Sequence, residues 1–153
     1  MALRPFAQLK KENYKFHWYI IGEGHQRNLL ETMIRDLGLE DCVTLLGRQL
    51  NPYPYINQCD FYFQPSRHEA YGIAAAEARV LYKPVLCTDF AGAREQFVDG
   101  ETARLIKCDE RSLYCGLKEM LESPELRNKF VYNLKKQYLD TDEVLNEFEN
   151  LLD

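Results

Sequence analysis

The stretch Arg67-His68-Glu69-Ala70-Tyr71-Gly72-Ile73-Ala74-Ala75-Ala76-Glu77-Ala78 decides the fold, because it reads as the junction between a strand and a helix. An apolar run from Asp60 to Gln64 precedes it and ends in Pro65-Ser66. Tyr71 to Ile73 opens the helix, and an alanine-rich segment carries it forward. Two glutamates flank the helix start, with seven residues between them. Glu69 falls in the loop, whereas Glu77 lies about a turn and a half inside a helix of roughly 3.6 residues per turn, so the two acids have different work to do. The unpaired N–H groups of a first helical turn, at its positive dipole end, hold an anion such as a phosphate, and carboxylates accept hydrogen bonds from hydroxyls. Glycine at position 72 lets a ligand approach the backbone closely. The pattern suits a polyhydroxylated ligand.

Outward from this junction, strand-like runs recur at Phe16 to Ile21, Val43 to Leu46, Asp60 to Gln64, Pro84 to Thr88 and Arg104 to Lys107, separated by segments long enough for helices. Between the first two, Gln26 to Leu37 places Leu29, Leu30, Met33, Ile34 and Leu37 on one helical face and stops at Gly38. Glu110 to Leu121 and Pro124 to Tyr138 read as helices, the second opened by Ser123-Pro124, and a last helix is expected from about Asp142 to Leu152. Val144, Leu145, Phe148, Leu151 and Leu152 form an apolar stripe on it. Short, nearly continuous apolar strands alternating with amphipathic helices predict an α/β fold. The expected form is a Rossmann-like, parallel-sheet three-layer sandwich that binds its ligand at the strands' carboxyl ends. Residues 1–153 form one domain with no linker, repeat or low-complexity segment.

Nineteen basic against twenty-four acidic residues give a net charge of −5, which argues against indiscriminate binding to nucleic acid or an acidic membrane. No apolar run approaches the roughly 20 residues of a membrane span, and Met1-Ala2-Leu3-Arg4-Pro5 lacks a signal peptide's apolar segment, so a soluble, cytoplasmic protein is expected. Cys42, Cys59, Cys87, Cys108 and Cys115 are odd in number and scattered, which predicts reduced core thiols in place of a disulfide framework or zinc site.

Several segments, in order along the chain, point to one family. They are Tyr19-Ile20-Ile21-Gly22-Glu23-Gly24, Val43-Thr44-Leu45-Leu46-Gly47 and Asp60-Phe61-Tyr62-Phe63-Gln64-Pro65-Ser66, then the Glu69 and Glu77 pair. Lys83-Pro84-Val85, Thr88-Asp89, the Gly92 and Glu95 turn and Asp99-Gly100-Glu101-Thr102 follow. The series resembles the donor-binding C-terminal domain of retaining, GT-B-fold glycosyltransferases of family 4, over most of the chain. A lone Gly-x-Gly would be weak evidence, whereas a collinear series is strong. The resemblance implies a nucleotide-diphosphate sugar as donor, with no metal and no further cofactor in the site. It implies that Glu69 is the catalytic-site acid holding donor-sugar hydroxyls, that Glu77 holds the ribose, and that the amides of Tyr71, Gly72 and Ile73 face the diphosphate. Gly22 and Gly24 would line the mouth of the cleft, Arg48 would lie near the base, and Ser66 would border the donor.

Each of these residues also has a plain structural reading. Glu69 and Glu77 can be solvated acids, Gly22 and Gly24 a tight turn, Arg48 a surface cation, Ser66 a brace for its loop and His68 a loop residue. Tyr53, between Pro52 and Pro54, and Tyr55, which follows Pro54, either edge the nucleotide pocket or simply form a rigid helix start.

The chain also departs from the family pattern. Tyr71 replaces a usual phenylalanine, Ala91 and Ala103 stand where glycine is common, and Leu81-Tyr82 replaces a small turn. Leu3 to Asn13 resembles the helix after the family's first C-domain strand, so that strand, with the Arg and Lys that neutralise the donor diphosphate, and the acceptor-binding N-terminal domain are expected to be absent. The strands around Tyr19 and Phe61 would then pair directly or stay exposed as edges. A chain inactive alone is the expectation, either a truncated domain or one completed by a separate polypeptide that supplies the acceptor-binding domain. A non-catalytic α/β module for binding or assembly is the alternative, and a flavodoxin-like regulator is disfavoured by the lack of its acidic cluster.

Overall fold

The computed structural model describes residues 2–150, with side-chain surroundings over 2–137. Helices and strands alternate as α1 (Leu3–Lys11), β1 (Trp18–Ile21), α2 (Arg27–Asp36), β2 (Val43–Gly47), α3 (Tyr53–Gln58), β3 (Tyr62–Gln64), α4 (Ile73–Val80), β4 (Val85–Thr88), α5 (Ala91–Gln96), β5 (Ala103–Ile106), α6 (Glu110–Glu122) and α7 (Pro124–Asn150). All five expected strands form, each trimmed, extended or shifted by one or two residues at an end.

β4 shows why the fold has three layers. All four of its residues are buried, with Leu86 packing among Leu113 and Leu117 of α6 and with Val85 and Cys87 packing against Ala75 and Ala78 of α4 and Ala93 of α5. A strand flanked on both sides by parallel partners, β3 and β5, has helices over both faces, and its sequence reads as an unbroken apolar run for that reason. β1 behaves differently. Trp18 and Ile20 pack inward with α1, while Tyr19 is exposed and stacks on His17 at 4.4 Å. One face of the β1–β2 pair is therefore open, contrary to the expectation of strands buried on both sides.

The expected single sheet is also divided. β1 pairs in parallel with β2, and β3, β4 and β5 form a separate parallel sheet in the order β3-β4-β5. No ladder joins the two sheets, and aromatic side chains bridge them: the Phe6 ring from α1 stacks on Trp18 at 4.5 Å and meets Phe63 of β3 at 5.8 Å, with Trp18 and Phe63 5.5 Å apart. Of the two arrangements expected for these strands, direct pairing is ruled out, and the edges of β1 and β3 carry no ladder to each other.

The helices bring smaller corrections. In α2 Ile34 is buried but Leu29 is exposed, so the buried stripe is narrower than its spacing predicts. Gly38 follows with φ 63°, the left-handed geometry of a helix stop. Ser123 Oγ accepts the Leu126 N–H at 3.2 Å and starts α7, which runs on as one helix to Asn150 where two were expected. No proline or glycine lies between Glu125 and Asn150 to interrupt it. The apolar stripe from Val144 to Leu152 lies outside the residues whose side chains are described. All five cysteines are free, and Cys108 and Cys115 are exposed, so only some are core thiols.

Phe6 joins the two sheets, so Phe6→Ala should cost about 3–5 kcal/mol of stability and shift the emission of Trp18, the single tryptophan, to the red. Urea unfolding checks this, and a cost below about 1 kcal/mol would contradict that role.

Candidate functional site

The loop after β3 is fixed from two sides before any ligand is considered. Buried Thr88, at the end of β4, donates its hydroxyl to the Ser66 carbonyl at 2.6 Å. From the other side α5 presses on the loop, and the Gly92 N–H donates to the Ala70 carbonyl at 3.0 Å. A Cβ at position 92 would stand 2.5 Å from the Tyr71 Cα and 2.6 Å from the Ala70 oxygen, so only glycine fits. The buried Gln96 amide donates to the carbonyls of Tyr71 and Gly92. Gly72 then turns the chain with φ 82°, where an added Cβ would stand 2.6 Å from Phe90 Cζ, and caps α4.

The amides of Tyr71, Gly72, Ile73 and Ala74 have no intramolecular acceptor among the described residues, while those of Ala75 and Ala76 bond to the Gly72 carbonyl. The first turn of α4 thus offers the unpaired donors that the sequence predicts.

Beside this turn lies an open cavity of about 550 Å³ at the carboxyl ends of β3, β4 and β5, lined by Ser66, Arg67, His68, Glu69, Asp89 and Phe90 among others. Ligands of open parallel sheets bind at this rim. Glu69 is half-buried, and the Gln64 amide donates to its Oε2 at 3.3 Å while the Tyr62 hydroxyl donates to Gln64 Oε1 at 3.3 Å. Burial pushes the Tyr62 phenol up to about 12, so it stays a donor. Asp89 is clamped by Arg94 through two bonds of 2.6 and 2.5 Å, which hold its carboxyl below the usual range. Glu77 is half-buried on α4, and its Oε1 accepts the Tyr53 hydroxyl at 3.1 Å.

The predicted residues fall into two groups. Ser66 and Glu69 line the cavity, with exposed Tyr71, buried Gly72, exposed Ile73 and Glu77 following on the adjoining helix start. Gly22, Gly24 and Arg48 lie outside that lining, at the carboxyl ends of β1 and β2, where all three are exposed. The Gly22 N–H bonds to the Gly47 carbonyl at 2.9 Å, and its φ of 128° requires glycine, whereas Gly24 has open space and no such demand. Contributors not singled out from the sequence as site residues include Gln64, Phe90, Arg94, Gln96 and Cys108, the last of which also lines the cavity. Gln64 alone carried a signal, as a polar side chain ending an otherwise apolar strand. Among the described residues no cluster of three or more His, Cys, Asp or Glu could hold a metal ion.

Residues 1–137 match the family described as "Glycosyl transferases group 1", and the chain belongs to that family. It is 36% identical over 146 residues, 94% of its length, to the N-acetylgalactosamine-N,N'-diacetylbacillosaminyl-diphospho-undecaprenol 4-alpha-N-acetylgalactosaminyltransferase of Campylobacter jejuni, and spans 39% of that protein. The fold is that of the crystal structure of TarM, a protein of S. aureus, with TM-score 0.81 and 21% identity over 98% of this chain and 31% of that one. Anabaena HepE, solved in complex with UDP-glucose, matches with TM-score 0.78 and 22% identity over 88% of this chain and 38% of its own. The α/β fold is thus the C-terminal, Rossmann-like half of a GT-B glycosyltransferase, and the chain spans about two fifths or less of the relatives named here.

Because the Ala70–Tyr71 backbone leaves no space at position 92, Gly92→Ala should cost about 1–3 kcal/mol and raise amide exchange across residues 70–74. Hydrogen exchange checks this, and unaltered exchange there would show that α5 does not fix the loop.

Proposed function

We propose that the chain is the donor half of a retaining, family 4 glycosyltransferase that takes a sugar from a nucleotide diphosphate, with no resident metal or cofactor. The observation that carries this reading is the junction at α4: unpaired amides of residues 71–74 between two half-buried carboxylates, Glu69 and Glu77, beside a cavity at the strands' carboxyl ends. Charge and geometry divide the donor accordingly. The diphosphate belongs on the amides of Tyr71, Gly72 and Ile73, where no side-chain acid competes. The sugar's hydroxyls belong on Glu69, in the cavity, with Ser66 at its border. Ribose belongs on Glu77, further along the helix. Gly22, Gly24 and Arg48 then form the opposite rim, towards the base. Relatives that bind UDP or transfer an amino sugar support the donor class.

Turnover is a separate matter. Among the described residues lining the cavity, Arg67 is the one permanent cation, against Glu69 and Asp89. Removing one stabilising donor from a developing anion costs roughly 2.7–4 kcal/mol in other enzymes, so a leaving diphosphate here is poorly neutralised. We therefore propose that residues 1–153 bind donor without turning it over, and that polypeptide beyond them, in the same or a separate chain, supplies the acceptor-binding domain and the missing cations. The five free thiols support a reducing, cytoplasmic setting. The divided sheet favours a second reading, a non-catalytic module that keeps the fold for assembly.

Thermal unfolding with UDP, GDP, ADP and their sugar conjugates at high concentration separates the two, since a ligand bound only to the folded state raises its stability. A selective rise of several degrees is expected. Glu77→Ala should weaken the nucleotide about 10-fold or more, and Glu69→Ala should erase only the extra stabilisation given by the sugar. No rise with any of these ligands would favour the assembly module.

A further inference from the structure

Resting on the nucleotide site proposed above, we infer that Tyr53 is a positioning residue for Glu77 and through it favours ribonucleotides over 2′-deoxyribonucleotides. Tyr53 is the first residue of α3, set between Pro52 and Pro54, whose rings fix the backbone on either side. Its own N–H donates to Asn51 Oδ1 at 3.1 Å. The base of the side chain is thereby held, and the hydroxyl crosses from α3 to α4 to donate to Glu77 Oε1 at 3.1 Å. A rigid helix start is therefore only half of its role.

The chemistry of this bond matters more than its existence. A glutamate near the surface of a helix has several rotamers, and ordering one for a ligand costs entropy that a prior hydrogen bond removes. The phenol is neutral, so it orients the carboxylate without cancelling its charge, as an arginine or lysine would. The Glu77 carboxylate raises the Tyr53 phenol above its ordinary range, so the proton stays on tyrosine. The bond occupies one lone pair of Glu77 Oε1, which leaves Oε2 and the second lone pair of Oε1 for a donor. A vicinal diol fits that arrangement, and a ligand lacking one hydroxyl leaves an oriented lone pair unmatched. The Tyr53 ring, 47% exposed beside this carboxylate, closes one side of the place where the ribose would sit.

The test measures, by titration calorimetry on the whole chain, the affinities of UDP, GDP and ADP and of their 2′-deoxy counterparts, for wild type, Tyr53→Phe, Glu77→Ala and the double variant. Wild type should prefer at least one ribonucleotide by about 10-fold. Tyr53→Phe should weaken that ribonucleotide about 5-fold yet leave its deoxy form within about 2-fold, and should add nothing further in the Glu77→Ala background. Equal weakening of both forms would assign Tyr53 a merely structural role and overturn the inference, as would no change in either. If wild type binds no ribonucleotide, the donor site itself fails and this inference with it. Phenylalanine at this exposed position should keep the fold, and an unchanged melting temperature confirms that the affinities compare like with like.

Discussion

The close approach of α5 to the loop after β3 is the constraint on which the rest of this structure depends. Gly92 lies so near the Ala70–Tyr71 backbone that no side chain fits between them, and Gln96 binds the Tyr71 carbonyl from the same helix. Position 72 can then be occupied only by a residue tolerating φ 82°, which sets where α4 begins. From that start the placement of Glu69 before the helix and Glu77 one turn inside it follows without further choice. Behind the loop, fully buried β4 anchors both ends through Thr88 and α5. A rigid scaffold thus carries a cavity-lining loop whose own backbone is fixed at several atoms.

Electrostatically the site uses two devices. Unpaired amides at a helix start attract an anion without placing a buried cation in the core, and the nearby acids are bonded to neutral donors, Gln64 for Glu69 and Tyr53 for Glu77, so neither bond places a cation against them. Asp89 is the exception, since Arg94 already claims both of its oxygens. Two of the three acids around the site therefore remain open to hydroxyl donors, as the proposed sugar-nucleotide donor requires.

The sequence made the strands, the junction at Gly72 and the two glutamates legible, because each depends on a local rule: apolar runs, a left-handed turn, and acids at fixed distances from a helix start. Tertiary terms were hidden. Leu29 lies on the predicted apolar face of α2, yet nothing covers it, and the open face carrying Tyr19 cannot be read from a run as apolar as Tyr19-Ile20-Ile21. The bond from Tyr53 to Glu77 joins residues 24 apart and has no local signature. Whether β1 and β3 would pair or stay apart was left open even by the family resemblance, since no property of Trp18 or Phe63 taken alone forbids a ladder. Even the unbroken α7 depended on an absence, the lack of proline and glycine after Pro124, that a search for start and stop signals passes over.

The most direct test of the central claim, that the start of α4 is a diphosphate site, is to follow backbone amide signals by NMR while UDP is titrated into the isotope-labelled chain. The account predicts that the largest shifts fall on Tyr71, Gly72, Ile73 and Ala74, with smaller ones at Ser66 and Glu77. Shifts gathered instead at the groove on the strands' amino ends, around Lys83, Arg127 and Lys135, would contradict it, as would saturation with no shift at residues 71–74.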